Sequence, residues 1–325
     1  MPPPVGLPLV ICAESGSTVE TLARRLDVGR SLLQRQVARV GAILFRGFGV
    51  RDARALSSLV ASAGGEPMRY LGGDSPRTHV GGEVYTSTEC PPAIRIPLHN
   101  ELSYLSVYPR HLWFACVTPA ARGGETTIAD GRAIWRALDP SVRERFARSG
   151  VRYTYSFRGE SFWWRALDRV RKVGKSWMEA FETDDWRVAD AHCRQLASRH
   201  RWLPSGRVVL ELDGPASLAD PRTGEPAWFN QAHLFRFNPR YLGWRNYLLA
   251  RILYARRDSL SHDAQFGDGS PLDGATLSHL YDVMEAHTVP VRWQAGDVLW
   301  LDNRVCLQGR NPFRGQRRVL VTLSR

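Results

Sequence analysis

Lysine is nearly missing from this 325-residue chain. Lys172 and Lys175 are the only ones, so the 44 basic residues are almost all arginine. Set against 32 acidic residues, they leave a formal net charge of +12. No run of about five or six like charges gathers that excess into a nucleic-acid-binding tail. The stretch that best interleaves aromatics with bases, Trp163 to Lys172, reads more simply as an amphipathic helix with its tryptophans turned inward. No nucleic-acid partner is expected. Long apolar runs are missing as well: nothing approaches the ~18 consecutive apolar residues that cross a bilayer, so no membrane partner is expected either. Pro2, Pro3, Pro4 and Pro8 interrupt the start, and no basic leader precedes them, which argues against a signal peptide. Paired cysteines are absent. Cys12, Cys90, Cys116, Cys193 and Cys306 are scattered without a C-x-x-C, which speaks against a thiol metal site and fits a reduced, cytoplasmic setting.

What is present is a globular composition, 43% hydrophobic with 11 Trp, 10 Tyr and 12 Phe, which rules out disorder. There is no internal repeat and no Gly/Ser/Pro linker, so one domain over residues 1–325 is expected. Helical spacing occupies residues 17–40, with Ser17 or Thr18 as cap, and returns from Arg51 to Ala63. Short β-prone runs bounded by Gly and Pro follow: Gly41–Gly49, Ile94–Asn100, Leu112–Val117 and Thr126–Ala129. Residues 133–149, 184–201, 241–257 and 276–287 look helical, and 207–212 looks extended. The end of the chain is strand-like at Val291–Trp293, Asp297–Leu301 and Arg317–Leu323. The pattern predicts a mainly β fold, a sandwich or jelly roll. Helices are inserted at roughly 133–205 and 241–287.

Chemistry concentrates in three places. In Pro97-Leu98-His99-Asn100-Glu101, the i and i+2 side chains of a strand share a face. His99 and Glu101 could then chelate one metal and, with a distant histidine, form the facial site of non-haem Fe(II) oxygenases. About one such triplet is expected by chance from 9 His and 32 acids, and a hydrogen-bonded structural histidine explains it equally well. Gly123-Gly124-Glu125-Thr126-Thr127 is a turn into a strand that brings hydroxyls close to a ligand. Arg317 and Arg318 lie near the end. One guanidinium could clamp a carboxylate, while alternation sends the other to the opposite face. A hydrolase built on Cys306 has little support, because no nucleophile-elbow motif accompanies it.

Together these segments resemble the taurine dioxygenase (TauD/TfdA-type) family of Fe(II)/2-oxoglutarate-dependent oxygenases. The branch most alike is that of the syringomycin-pathway-type hydroxylases of natural-product biosynthesis. The resemblance is carried by Pro76-Arg-Thr, Val84-Tyr-Thr-Ser-Thr-Glu, Ile96-Pro-Leu-His-Asn-Glu-Leu-Ser-Tyr104, Gly123-Gly-Glu-Thr-Thr-Ile-Ala-Asp130, Gly224-Glu-Pro-Ala-Trp-Phe-Asn230-Gln231, Phe266-Gly-Asp-Gly-Ser-Pro271, Gln294-Ala-Gly-Asp-Val and Gly309-Arg-Asn-Pro-Phe. It implies a double-stranded β-helix, with Fe(II), 2-oxoglutarate and O2 as cofactors. His99 and Glu101 match the first two iron ligands. Thr126 matches the hydroxyl that bonds 2-oxoglutarate, and Arg318 the arginine that grips its carboxylate. Asn100, Tyr104 and Asn230 match stretches that face the substrate.

The family has a histidine immediately before Gly-Arg-Asn-Pro-Phe, and this chain has Gln308. A glutamine offers only a neutral amide oxygen and no second ring N–H to be anchored. Three readings stay open: iron held by His99, Glu101 and Gln308 or water; a non-catalytic pseudo-oxygenase that binds a pathway intermediate; or a site whose histidine was replaced to trap a complex. His233 and His287 are the substitutes to check. Retention of Glu101 points, by the resemblance, to hydroxylation, desaturation or ring formation rather than halogenation. The implied substrate is an amino acid, free or carrier-bound, in secondary metabolism. Assembly of identical chains is left open.

Overall fold

Along the strand His111–Thr118, Leu112, Phe114 and Cys116 face one way and Trp113 and Ala115 the other, and all are buried. A strand with two buried faces must sit inside a layered structure, which is why it reads as an unbroken apolar run. The computed structural model, which describes residues 6–70, 77–159, 176–181, 183–236, 238–245, 247–248 and 262–325, shows the layers. The chain is mostly β with added helices. The larger sheet runs Leu9–Cys12, Ala42–Arg46, Val298–Asp302, His111–Thr118, Arg318–Ser324, Val84–Thr86, His79–Gly81, and Pro67–Met68 also pairs with Arg318–Ser324. Only its first pair is parallel. Trp113 and Trp300 are directly opposite in register and stack with ring centroids 4.4 Å apart.

The Trp113 face is covered by helices Val19–Val28 and Ala53–Ser62, which bury Leu22, Leu26, Leu56, Leu59 and Val60. Thr18 and Asp52 cap them by accepting from the backbone N–H of Thr21 and Ala55. The helical pattern over 17–40 is two helices, because Gly29 ends the first and opens Arg30–Val40. The Leu112 face meets a smaller antiparallel sheet, ordered Val289–Val291, Thr126–Asp130, Cys306–Arg310, Ile96–His99. Leu98, Ile128 and Leu307 pack from it against Leu112, Phe114 and Val321.

The middle of the chain departs from the expected helical insert. Helices Gly131–Ala137, Pro140–Ser149 and Trp186–Leu196 are present, but a four-stranded antiparallel sheet lies among them. Its order is Arg199–Trp202, Val208–Gly214, Val151–Phe157, His262–Phe266. Within the strand Val151–Phe157, buried and half-buried residues alternate only from Val151 to Tyr155, a period-two pattern too short to register beside the longer helical runs. The expectations for Trp163–Lys172 and for most of 241–257 fall outside the described residues. Among those described, no helix is long and apolar enough to cross a membrane.

Candidate active site

The strand Ile96–His99 pairs with Cys306–Arg310 so that Gln308 is the direct cross-strand partner of His99. Both side chains therefore share a face, and it looks into a cavity also lined by Arg77, Thr126, Phe114 and Arg317. The ladder that brings them together needs Gly309: a Cβ there would meet the Ile96 carbonyl at 2.6 Å and the Thr127 hydroxyl at 2.7 Å. His99 is buried, and burial pushes its pKa down from the ordinary value, so the imidazole is neutral. Its Nδ1 lies 2.9 Å from the Pro97 carbonyl, which only a protonated Nδ1 can use, so Nε2 carries the lone pair.

Glu101 reaches the same place by a different route from the one expected. The strand ends at His99, and Asn100 and Glu101 belong to the following turn. Asn303 holds that turn, where sequence reasoning assigned it nothing. Its Oδ1 accepts from the Glu101 backbone N–H at 2.7 Å, and its Nδ2 donates to the Glu101 and Pro109 carbonyls at 3.0 and 2.9 Å. The result sets Glu101 Oε2 4.0 Å from His99 Nε2. Gln308 Nε2 spans the gap, 2.8 Å from His99 Nε2 and 3.2 Å from Glu101 Oε2. Arg77 Nη2 donates to that same Oε2 at 2.8 Å, and both partners are about 95% buried. Burial works against the Arg77 charge, but Glu101 outweighs it and the pKa stays above the usual arginine value.

On the other side of the cavity, Thr126 is buried and its Oγ1 accepts from the Trp293 indole at 3.1 Å, which leaves its own O–H to donate. The nearby arginine is Arg317, not Arg318. Arg317 lines the cavity, donating Nε to the Gly124 carbonyl at 2.9 Å and Nη1 to the Ser87 hydroxyl at 3.3 Å. Arg318 is exposed. The reason is parity: Val319, Val321 and Leu323 face the smaller sheet while Leu320 faces the helices, so Arg317 falls on the inner side. Burial, then the neighbouring Arg310, pushes the Arg317 pKa down to about 10. The Gly-Gly turn serves this arrangement, since a Cβ on Gly124 would meet Ala120 at 2.9 Å and Phe313 at 3.0 Å.

The residues expected to face substrate lie outside the lining of this cavity. Asn230 uses its Nδ2 on the Ala216 carbonyl and its Oδ1 on the Ala232 N–H, at 2.8 and 3.0 Å. Asn100 donates Nδ2 to the Asn303 carbonyl at 2.7 Å, while its buried Oδ1 has no partner among the described residues. Tyr104 packs among Tyr153, Tyr155 and Phe235. None of the three lines the cavity around His99. His233 donates Nε2 to the Leu98 carbonyl and His287 bonds the Val283 carbonyl, and among the described residues no third His, Cys, Asp or Glu joins His99 and Glu101.

The donor set suits a divalent metal with one weak position. His99 presents a lone pair and Glu101 a carboxylate oxygen, both on atoms that now accept hydrogen bonds. A half-turn of the Gln308 amide puts its carbonyl oxygen where Nε2 stands, giving a third, neutral oxygen ligand. Such a trio beside a hydroxyl donor and a half-buried arginine suits a 2-oxo acid next to a metal, the site type of non-haem iron, 2-oxoglutarate-dependent dioxygenases. Similarity to known proteins narrows the class. The profile of the Taurine catabolism dioxygenase TauD, TfdA family matches residues 4–323, and the chain belongs to that family. It is 32% identical over 283 residues to the dapdiamide synthesis protein DdaC of Enterobacter agglomerans, covering 87% of this chain and 82% of that one. It is 31% identical over 327 residues to a clavaminate synthase-like protein of Arabidopsis thaliana, covering 99% and 89%. A taurine dioxygenase from Burkholderia xenovorans shares the fold at 17% identity with a TM-score of 0.53, over 97% of this chain and 85% of that one.

Proposed function

We propose that this chain oxidises an unactivated C–H bond of an amino-acid-derived small molecule in secondary metabolism, by hydroxylation, desaturation or ring closure, with 2-oxoglutarate as cosubstrate. The observation that carries the reading is the neutral His99 with its Nε2 lone pair turned towards Glu101 and Gln308. His99, Glu101 and Gln308 would hold the metal. When bound, the metal supplies O2 activation coupled to conversion of 2-oxoglutarate to succinate and CO2. Thr126 donates its O–H to the 2-oxo acid, and Arg317 takes the far carboxylate, its position set by the Gly124 carbonyl. Phe114 and the surrounding apolar core limit water beside the reacting groups. Similarity to a dapdiamide synthesis protein supports a biosynthetic substrate, which we take to be an amino acid, free or carrier-bound. We read the two facing sheets as the double-stranded β-helix, residues 1–325 as one unit, and the setting as cytoplasmic.

One observation favours a second reading, a non-catalytic binder: Gln308 and Arg77 already satisfy the atoms that would face the metal. Fe(II) and 2-oxoglutarate, mixed anaerobically with the protein, are expected to give a weak visible charge-transfer band, and turnover to release succinate. A chain that binds 2-oxoglutarate but shows neither band nor succinate is the binder.

A further inference from the structure

The cavity holds a cation that this reaction does not use. Arg77 is 4% exposed at its side chain and gives Nη2 to Glu101. Its Nε and Nη1 are buried and have no acceptor among the described residues. Their plane is not free to turn away, because the guanidinium lies 4.2 Å over the Tyr70 ring. A buried charged donor without a partner is costly, so a protein keeps one where a ligand completes it. Glu101 engages only Nη2, through an Oε2 shared with Gln308, and no bond from it reaches Nε or Nη1.

We propose that Arg77 is the receptor for a free carboxylate of the primary substrate. A planar carboxylate fits the open edge of a guanidinium with paired N–H donors, and few other neutral-pH groups of an amino acid do. The assignment rests on the function proposed above and sharpens it. A carrier-bound aminoacyl group has its α-carboxyl tied up as a thioester, so a substrate that offers its α-carboxylate to Arg77 enters as the free acid. Arg317 and Thr126 remain for the 2-oxo acid, and Arg77 sits at the Glu101 end of the site, next to where the metal would be held.

The test uses the full chain with Mn(II) and 2-oxoglutarate, and reads thermal stabilisation by free L-amino acids and by the matching amino-acid carboxamides. At least one free acid is expected to stabilise the protein, with its carboxamide bound at least tenfold more weakly. Arg77→Gln should weaken that acid about ten- to a hundred-fold, and Arg77→Lys, which keeps the buried charge beside Glu101, about tenfold. At saturating Mn(II), stabilisation by 2-oxoglutarate should fall less than stabilisation by the amino acid in both variants, since Arg77 reaches the 2-oxo acid only through Glu101. Carboxamides binding as well as acids overturns the proposal. So does a panel in which no free acid stabilises, or variants that lose 2-oxoglutarate and keep the amino acid. Failure of 2-oxoglutarate to stabilise the unaltered chain would instead strike the proposed function.

Discussion

Replacing Gln308 by histidine should raise divalent-metal affinity steeply. In the present chain a metal must break the Gln308 hydrogen bonds to His99 Nε2 at 2.8 Å and to Glu101 Oε2 at 3.2 Å. The first is worth about 1 kcal/mol and the second, to a carboxylate, about 1.5–3 kcal/mol, so the amide withholds roughly 2.5–4 kcal/mol from the metal. A turned amide oxygen returns part of this as a weak ligand. Gln308→His removes both bonds and adds an imidazole donor on the same face, since position 308 stays opposite His99 in the ladder. At 1.4 kcal/mol per factor of ten, the gain is about two to three orders of magnitude. Anaerobic calorimetric titration with Mn(II), with Co(II) absorption as a check on coordination, measures it. Equal or weaker affinity in a folded Gln308→His protein would refute the claim that the amide blocks the site.

Two further outcomes are expected. Arg317→Gln should weaken 2-oxoglutarate binding in the presence of Mn(II) by about a hundred-fold and Arg318→Gln by less than about twofold; equal losses in titration calorimetry would undo the parity argument. His111 is buried, and that burial lowers its pKa from 6.5 to about 4. On acidification the unfolded chain therefore takes up the proton first, so stability present above pH 6.5 falls as pH drops from 6.5 to 4 and is lost below. The step is about 3 kcal/mol, and His111→Gln should flatten it in urea titrations across that range; an unchanged pH slope would contradict the assignment.

Much of the site was legible locally because the groups involved are close in the chain or belong to strongly punctuated turns. His99 and Glu101 meet at 4.0 Å, although through a turn braced by Asn303 rather than by simple alternation. Thr126 lies in the cavity, and of the paired glycines before it Gly123 is required by the close Pro312 carbonyl and Gly124 by Ala120 and Phe313. Arg317 was not separable from Arg318, because Val319 to Leu323 is buried on both faces and its apolar pattern carries no parity. Asn230 looked like a substrate residue, yet its turn consumes both ends of the amide.

By itself, then, the order of residues settled the oxygenase-like motifs, the mainly β character and the anomaly at Gln308, because these depend on residue type and short spacing. Tertiary structure alone decided what Gln308 does there. It took the cross-strand register to set the amide between His99 and Glu101. It took a contact across 24 residues to bring Arg77 to Glu101, and one across 202 residues for Asn303 to fix the turn. Such partners are chosen by packing between layers, and no local pattern records which distant side chain a buried carboxylate will meet.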